Sequence, residues 1–151
     1  MKSLFMRQLT IKPKGVLVFV DENKYMFKLY KRCLKELKLD NQVVCCYNGE
    51  EAFSYLKDTE DKIFMILSEV TMPRMDGLEL KRMIEMTPEL KVKAIPFFYY
   101  TDVQLDAVVK TAYTLGIQGY FRKSTEVEKL MGALTLIFDF WTHCIHPKNL
   151  K

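Results

Sequence analysis

The sequence has no apolar run long enough to span a bilayer. Its first ten residues, Met1 to Thr10, carry two basic side chains and only short apolar pieces. They lack the continuous apolar core and small-residue cleavage site of a secretory signal. These absences set the expectation of a cytoplasmic protein that makes no membrane contact. Four cysteines occur, Cys33, Cys45, Cys46 and Cys144, but no Cys-x-x-Cys pair. They read as reduced, buried thiols of a reducing compartment. The net charge of +4 comes from scattered lysines, which points to solubility ahead of nucleic-acid binding. No repeat, low-complexity segment or linker divides the 151 residues, so one domain is expected. No output domain follows it, so direct DNA binding is not expected. No glycine follows the first strand-like run, which counts against a phosphate-cradling loop and hence against a nucleotide binder or small α/β enzyme.

What is present alternates. Val16 to Val20 is apolar on both faces, as a strand in the middle of a parallel sheet must be. Tyr25 to Leu39 has Met26, Leu29, Tyr30, Cys33, Leu34 and Leu37 at helical spacing, broken by Asp40-Asn41. Val43 to Cys46 is a second strand, Glu50 to Leu56 a helix, and Ile63 to Leu67 a third strand. A helix over Leu78 to Met86 stops before Pro88. A fourth strand runs from Ala94 to Tyr100, with Pro96 suggesting a place near the sheet edge. Val103 to Leu115 reads as a helix closed by Gly116. Ile117 to Phe121 is a fifth strand, and a last helix carries an apolar stripe from Val127 to Trp141. Trp141, Phe138 and Phe140 suit either core or a dimer surface. Residues 1–14 read as an N-terminal extension, 15–142 as the domain and 143–151 as a flexible tail, a reading preferred over a metal site at His143, Cys144 and His146. Strands alternating with helices predict an α/β three-layer sandwich: a flavodoxin-like (βα)5 fold with a five-stranded parallel sheet of order 2-1-3-4-5.

In such a sheet, groups at the carboxyl ends of the strands converge. Those ends hold Asp21 and Glu22, then Glu69, Thr101 and Lys123. Glu69 opens the stretch Glu69-Val70-Thr71-Met72-Pro73-Arg74-Met75-Asp76-Gly77, whose bend is expected from Pro73 and from a glycine conformation at Gly77. Asp76 suits turn chemistry. Three carboxylates need an offsetting cation, which Lys123 or a divalent metal could supply, and Thr101 adds a hydroxyl. The set suits a phosphoryl group or its mimic.

Over residues 15–140 these positions resemble the receiver domain of two-component response regulators. The residues that carry the resemblance are Val20-Asp21-Glu22, Met72-Pro73-Arg74-Met75-Asp76-Gly77, Thr101, Tyr120 and Lys123. The resemblance implies that position 69 is the phosphoacceptor and that an acidic pocket, Asp21 and Glu22, holds Mg²⁺. It also implies that Thr101 and Lys123 contact phosphoryl oxygens, and that Tyr120 swings inward on activation. A metal would then be held by Asp21, Glu22, Glu69 and the backbone carbonyl of Thr71. Three departures bear on this. Position 69 is Glu where that family has Asp. Position 22 is Glu, where Asp is usual. Ser124 follows Lys123 in place of Pro. An extra methylene displaces each carboxylate by roughly one bond length, and Mg²⁺ tolerates little departure from octahedral geometry. Glu69 is therefore expected to reach Lys123 and Thr101 directly. The expected function is a stand-alone receiver-like module acting on signalling proteins, such as a histidine kinase or a downstream effector, without phosphorylation. A homodimer through the 103–142 face is also implied. A working phosphotransfer receiver is the alternative.

Overall fold

The structure, a computed structural model, describes residues 9–151. The first eight residues of the expected N-terminal extension lie outside them, and residues 9–14 contain no helix or strand. The elements run β1 (Val16–Val20), α1 (Lys24–Glu36), β2 (Val43–Cys46), α2 (Gly49–Asp58), β3 (Ile63–Ser68), α3 (Gly77–Met86), α4 (Pro88–Lys91), β4 (Phe97–Thr101), α5 (Asp106–Thr114), β5 (Gly119–Arg122) and α6 (Val127–Thr142). All four strand pairings are parallel, in the order β2-β1-β3-β4-β5. This is the flavodoxin-like sandwich that the alternation predicts, with one additional short helix.

The sheet separates two apolar cores. Leu17 and Phe19 of β1 face α1 and α6, where Met26, Tyr30, Leu134 and Phe138 pack against them. Val16, Val18 and Val20 face the other way, onto Ala52 of α2, Leu80 and Ile84 of α3, Leu90 of α4 and Ala112 of α5. The alternation follows from the two-residue period of a strand. It slips once. Between Val16 and Leu17 the register against β3 shifts by one, and Phe64 and Met65 turn to the same core.

Several local expectations change. Helix α1 ends at Glu36 and not near Asp40. Lys38 adopts φ 58°, Leu39 N–H donates to Leu34 O at 2.9 Å, and Lys38 N–H donates to Lys35 O at 3.0 Å. That paired pattern terminates a helix, here with lysine in the left-handed place usually taken by glycine. Helix α3 does stop at Met86, before Pro88, but Pro88 then starts the short α4, where its missing N–H is no loss. Pro96 does not mark an edge. Strand β4 begins one residue later, lies between β3 and β5, and the Pro96 carbonyl accepts Ile66 N–H at 2.9 Å.

The end of the chain is docked, contrary to the expected flexible tail. His146 is 3% exposed. Its Nε2 donates to Phe64 O at 2.7 Å, and its Nδ1 accepts Lys148 N–H at 3.0 Å. Phe64 sits in the β-bulge, whose extra residue leaves the ladder and frees its carbonyl for an outside donor. The ring stacks on Phe64 and meets Trp141 edge-on. Of the cysteines, Cys33 and Cys46 are buried, with burial pushing each thiol up to about 12; Cys144 is exposed, unlike the expected buried thiol.

Candidate functional site

Strands β1, β3, β4 and β5 all end at one edge, and their terminal side chains meet there. Lys123, one residue past β5, places Nζ 2.6 Å from Asp21 Oδ2 and 2.8 Å from Glu69 Oε2. The hydroxyl of Thr101 donates to Glu69 Oε1, which also accepts the N–H of Val70 at 2.8 Å. Asp21 Oδ1 accepts Asn23 N–H at 2.9 Å. Every oxygen of the two carboxylates thus has a donor. Burial alone would lower the Lys123 pKa, but the hydrogen bonds and charges of Asp21 and Glu69 outweigh it and hold the ammonium above its ordinary value. The same fields reach Tyr30 beneath the site, which burial and then Asp21 hold well above the usual phenol range.

Four of the residues singled out from the sequence, Asp21, Glu69, Thr101 and Lys123, are therefore in mutual contact. Glu22 is not among them. It is exposed, because the chain turns at Asp21 into the α1 cap, where Asn23 Oδ1 accepts Tyr25 N–H at 3.0 Å. Thr71 lies exposed on the loop after β3. Tyr120 is half-buried against Tyr99, with its hydroxyl donating to Val103 O at 2.5 Å. Burial, followed by the negative charge of Glu69, raises its pKa.

The loop that carries Glu69 is shaped differently from expectation. Positive φ values fall on Arg74 (51°) and Met75 (77°), not on Gly77. Gly77 is needed for another reason: a Cβ there would lie 2.3 Å from Glu69 O and 2.9 Å from the Tyr99 ring. Its N–H donates to Val70 O at 2.7 Å, which closes the loop on itself. The carbonyls of Met75 and Arg74 accept the first N–H groups of α2, from Gly49 at 2.8 Å and Glu50 at 3.2 Å. Asp76 is the N-cap of α3, its Oδ1 accepting Glu79 N–H at 2.9 Å.

Two positioning residues went unassigned in the sequence. Adjacent Tyr99 and Tyr100 point to opposite faces of β4, and each hydroxyl fastens a different site loop. Tyr99 donates to Gly77 O, behind Glu69. The Tyr100 hydroxyl donates to Ser124 O and accepts Ser124 N–H, both at 3.0 Å, behind Lys123. Among the described residues no peptide bond is cis, so the Lys123–Ser124 bond is trans and this phenol fixes the loop in place of a proline. The signal was two consecutive fully buried tyrosines before Thr101, since a buried phenol must find a partner.

The donor set, as arranged, does not suit a hard divalent cation. Asp21 and Glu69 turn their free oxygens onto an ammonium, Thr101 and backbone N–H groups take the others, and Glu22 faces solvent. Among the described residues no three His, Cys, Asp or Glu side chains group as a metal site. No described helix is long and apolar enough to cross a membrane.

Residues 16–135 match the response regulator receiver domain. The chain is 25% identical over 138 residues to the response regulator Rcp1 of Synechocystis sp., covering 88% of this chain and 92% of that protein. The crystal structure of the phosphorylated cyanobacterial phytochrome response regulator RcpA aligns with TM-score 0.76 and 24% identity over 86% of this chain and 95% of its own. The Mn(2+)-bound form of Rcp1 aligns with TM-score 0.73 and 23% identity, covering 87% and 96%. With the family match extending over most of the chain and the strand order in agreement, the protein belongs to the response regulator receiver domain family, the signalling module of two-component systems.

Proposed function

We propose that this receiver signals without being phosphorylated, its Glu69 carboxylate standing where a phosphoryl group would be held. The observation that carries the reading is the closure of Lys123 and Thr101 onto Glu69. These are the two groups that the family resemblance assigns to phosphoryl oxygens, and here both are occupied by a residue of the chain. A carboxylate brings one negative charge against nearly two for a phosphoryl group, so the mimicry is partial. The half-buried Tyr120, its hydroxyl bonded to Val103 O, favours an activated-like resting form. In this reading Mg²⁺, which the family implies and which the Mn(2+)-bound Rcp1 structure parallels, is displaced by the Lys123 ammonium.

The output is protein–protein contact, with a histidine kinase or a downstream effector as partner. Self-association through the 103–142 face has support in Leu136 and Phe140, each 63% exposed beside a cavity of about 420 Å³ next to Trp141. The test is incubation with acetyl phosphate, or a histidine kinase, and Mg²⁺, read by intact mass. No phosphoryl adduct is expected on the native chain. A stoichiometric, hydroxylamine-labile phosphoryl group on Glu69 would overturn the reading in favour of a working phosphotransfer receiver.

A further inference from the structure

The pole of the sheet opposite Glu69, where the strands begin, has a different character. A groove of about 370 Å³ runs between the start of β3, the α4–β4 connection and the docked C-terminal turn. Its walls are apolar at Ile63, Ile95 and Pro147, and two further apolar side chains are left in solvent beside it, Val92 at 80% and Leu150 at 67% exposure. Lys62, Lys93 and Lys148 edge it. On the other side of Lys62 a second hollow of about 400 Å³ adds Lys12 and Lys14. The two hollows together are lined by six lysines and three acidic residues. None of these lysines makes a salt bridge among the described residues. A chain whose whole excess is +4 thus concentrates most of it here, uncompensated.

The lysines are held together by the fold. Gly15, at φ 114°, lets the chain pass under Lys148, whose Cε would lie 3.2 Å from a Cβ at that position; Lys62 O would lie 3.0 Å from it. Lys148 is fixed there because His146 fastens the turn to β3. Burial, and then the like charge of Lys62, depress the Lys148 pKa. An arriving anion relieves that repulsion.

We infer that this groove docks an acidic peptide segment that also carries aliphatic side chains. Carboxylates would meet the lysine edge, and the aliphatic groups would cover Val92, Leu150 and the walls between them. The lining favours peptide over nucleic acid, since it contains neither arginine, whose planar fork suits phosphate, nor an aromatic on which a base could stack. Being concave, it also differs from the convex amphipathic helix that lies on a lipid surface. The inference is independent of the reading of Glu69, because groove and carboxylate lie at opposite ends of the sheet.

The experiment is fluorescence anisotropy on the full chain with a labelled short peptide of alternating Glu and Leu. Three comparison probes accompany it: the same peptide with Ser for Leu, a single-stranded oligonucleotide of equal charge, and vesicles containing an anionic lipid. Saturable binding of the Glu-Leu peptide is expected. It should weaken by roughly tenfold in Lys62→Glu/Lys93→Glu, both exposed positions, and also in Val92→Asp. Circular dichroism confirms that each variant is folded. Absence of saturable binding, indifference to the lysine and Val92 variants, equal affinity for the Ser-substituted peptide, or tighter binding of oligonucleotide or vesicle would each overturn the assignment.

Discussion

Removing the ammonium of Lys123 tests most directly whether the site is a closed ion triad. The side chains of Lys123, Asp21 and Glu69 are 10%, 1% and 11% exposed, so the small worth of surface ion pairs does not apply. Both carboxylates touch the same nitrogen, at 2.6 and 2.8 Å, and so lie no more than about 5.4 Å apart. At an effective dielectric constant of about 20, two negative charges at that separation repel by about 3 kcal/mol. Breaking a buried pair by deleting one partner typically costs about 3–5 kcal/mol, because the remaining charge is left without compensation. Lys123→Met should therefore destabilise the fold by about 3–5 kcal/mol. Adding Glu69→Gln removes one of the opposed charges and should restore most of that loss. The assay is urea unfolding followed by far-ultraviolet circular dichroism, for the wild type, both single variants and the double variant. The cycle isolates the coupling between the two positions. A cost below about 1 kcal/mol for Lys123→Met, or an equal cost in the wild-type and Glu69→Gln backgrounds, would refute the triad.

Tyr100→Phe deletes the hydroxyl that both donates to and accepts from Ser124, leaving a half-buried backbone N–H and C=O short of partners. A loss of about 1–3 kcal/mol is expected, together with faster amide hydrogen exchange at Ser124. Little change in either would show that the loop is held by other contacts. His146 is depressed below the ordinary histidine value of 6.5 by burial, so below that pH the unfolded chain binds a proton that the native chain refuses. Stability attributable to His146 is thus present above pH 6.5 and lost as the pH falls. In urea unfolding, the wild type should lose more stability between pH 7.5 and pH 5 than His146→Phe does. Parallel pH profiles would contradict this account of the tail.

The strands were legible because a parallel strand covered on both faces has no polar side to hide. Val16–Val20 and Ile63–Leu67 read as unbroken apolar runs in the sequence, and the strands they form are buried throughout. The convergence of Asp21, Glu69, Thr101 and Lys123 followed from the same parallel order. What was not legible depended on a specific backbone geometry or on a distant partner. Lys38 in a left-handed conformation ends α1 where no glycine warns of it. The bulge at Phe64 is a relation between two strands, so neither the free carbonyl nor its capture by His146, which lies 82 residues further on, leaves a local mark. Glu22 and Asp21 are neighbours with the same charge. Only the direction of the turn into α1 separates a buried ligand of Lys123 from a solvent-exposed side chain.

The arrangement on β4 explains how one carboxylate at position 69 can inform the rest of the domain. Three consecutive residues, Tyr99, Tyr100 and Thr101, reach three different parts of the site: the loop behind Glu69, the loop behind Lys123 and Glu69 itself. Strand β4 is interior, with β3 and β5 on either side, so these three anchors move as one body. A change in charge or length at position 69 alters the pull on Thr101 and Lys123 together. The loops are then constrained by hydroxyl bonds to the same strand. Tyr120 stands next to this body, packed on Tyr99 and bonded to Val103 just beyond Thr101. A shortened Glu69→Asp side chain would withdraw from Thr101 and Lys123 while leaving both tyrosine anchors intact. Its effect should therefore appear most strongly at Val70, Thr101 and Lys123, whose groups bond the Glu69 carboxylate, and reach Val103 and Tyr120 beyond Thr101. That pattern, read as backbone amide chemical shifts, separates a site built around the glutamate from one in which any carboxylate serves.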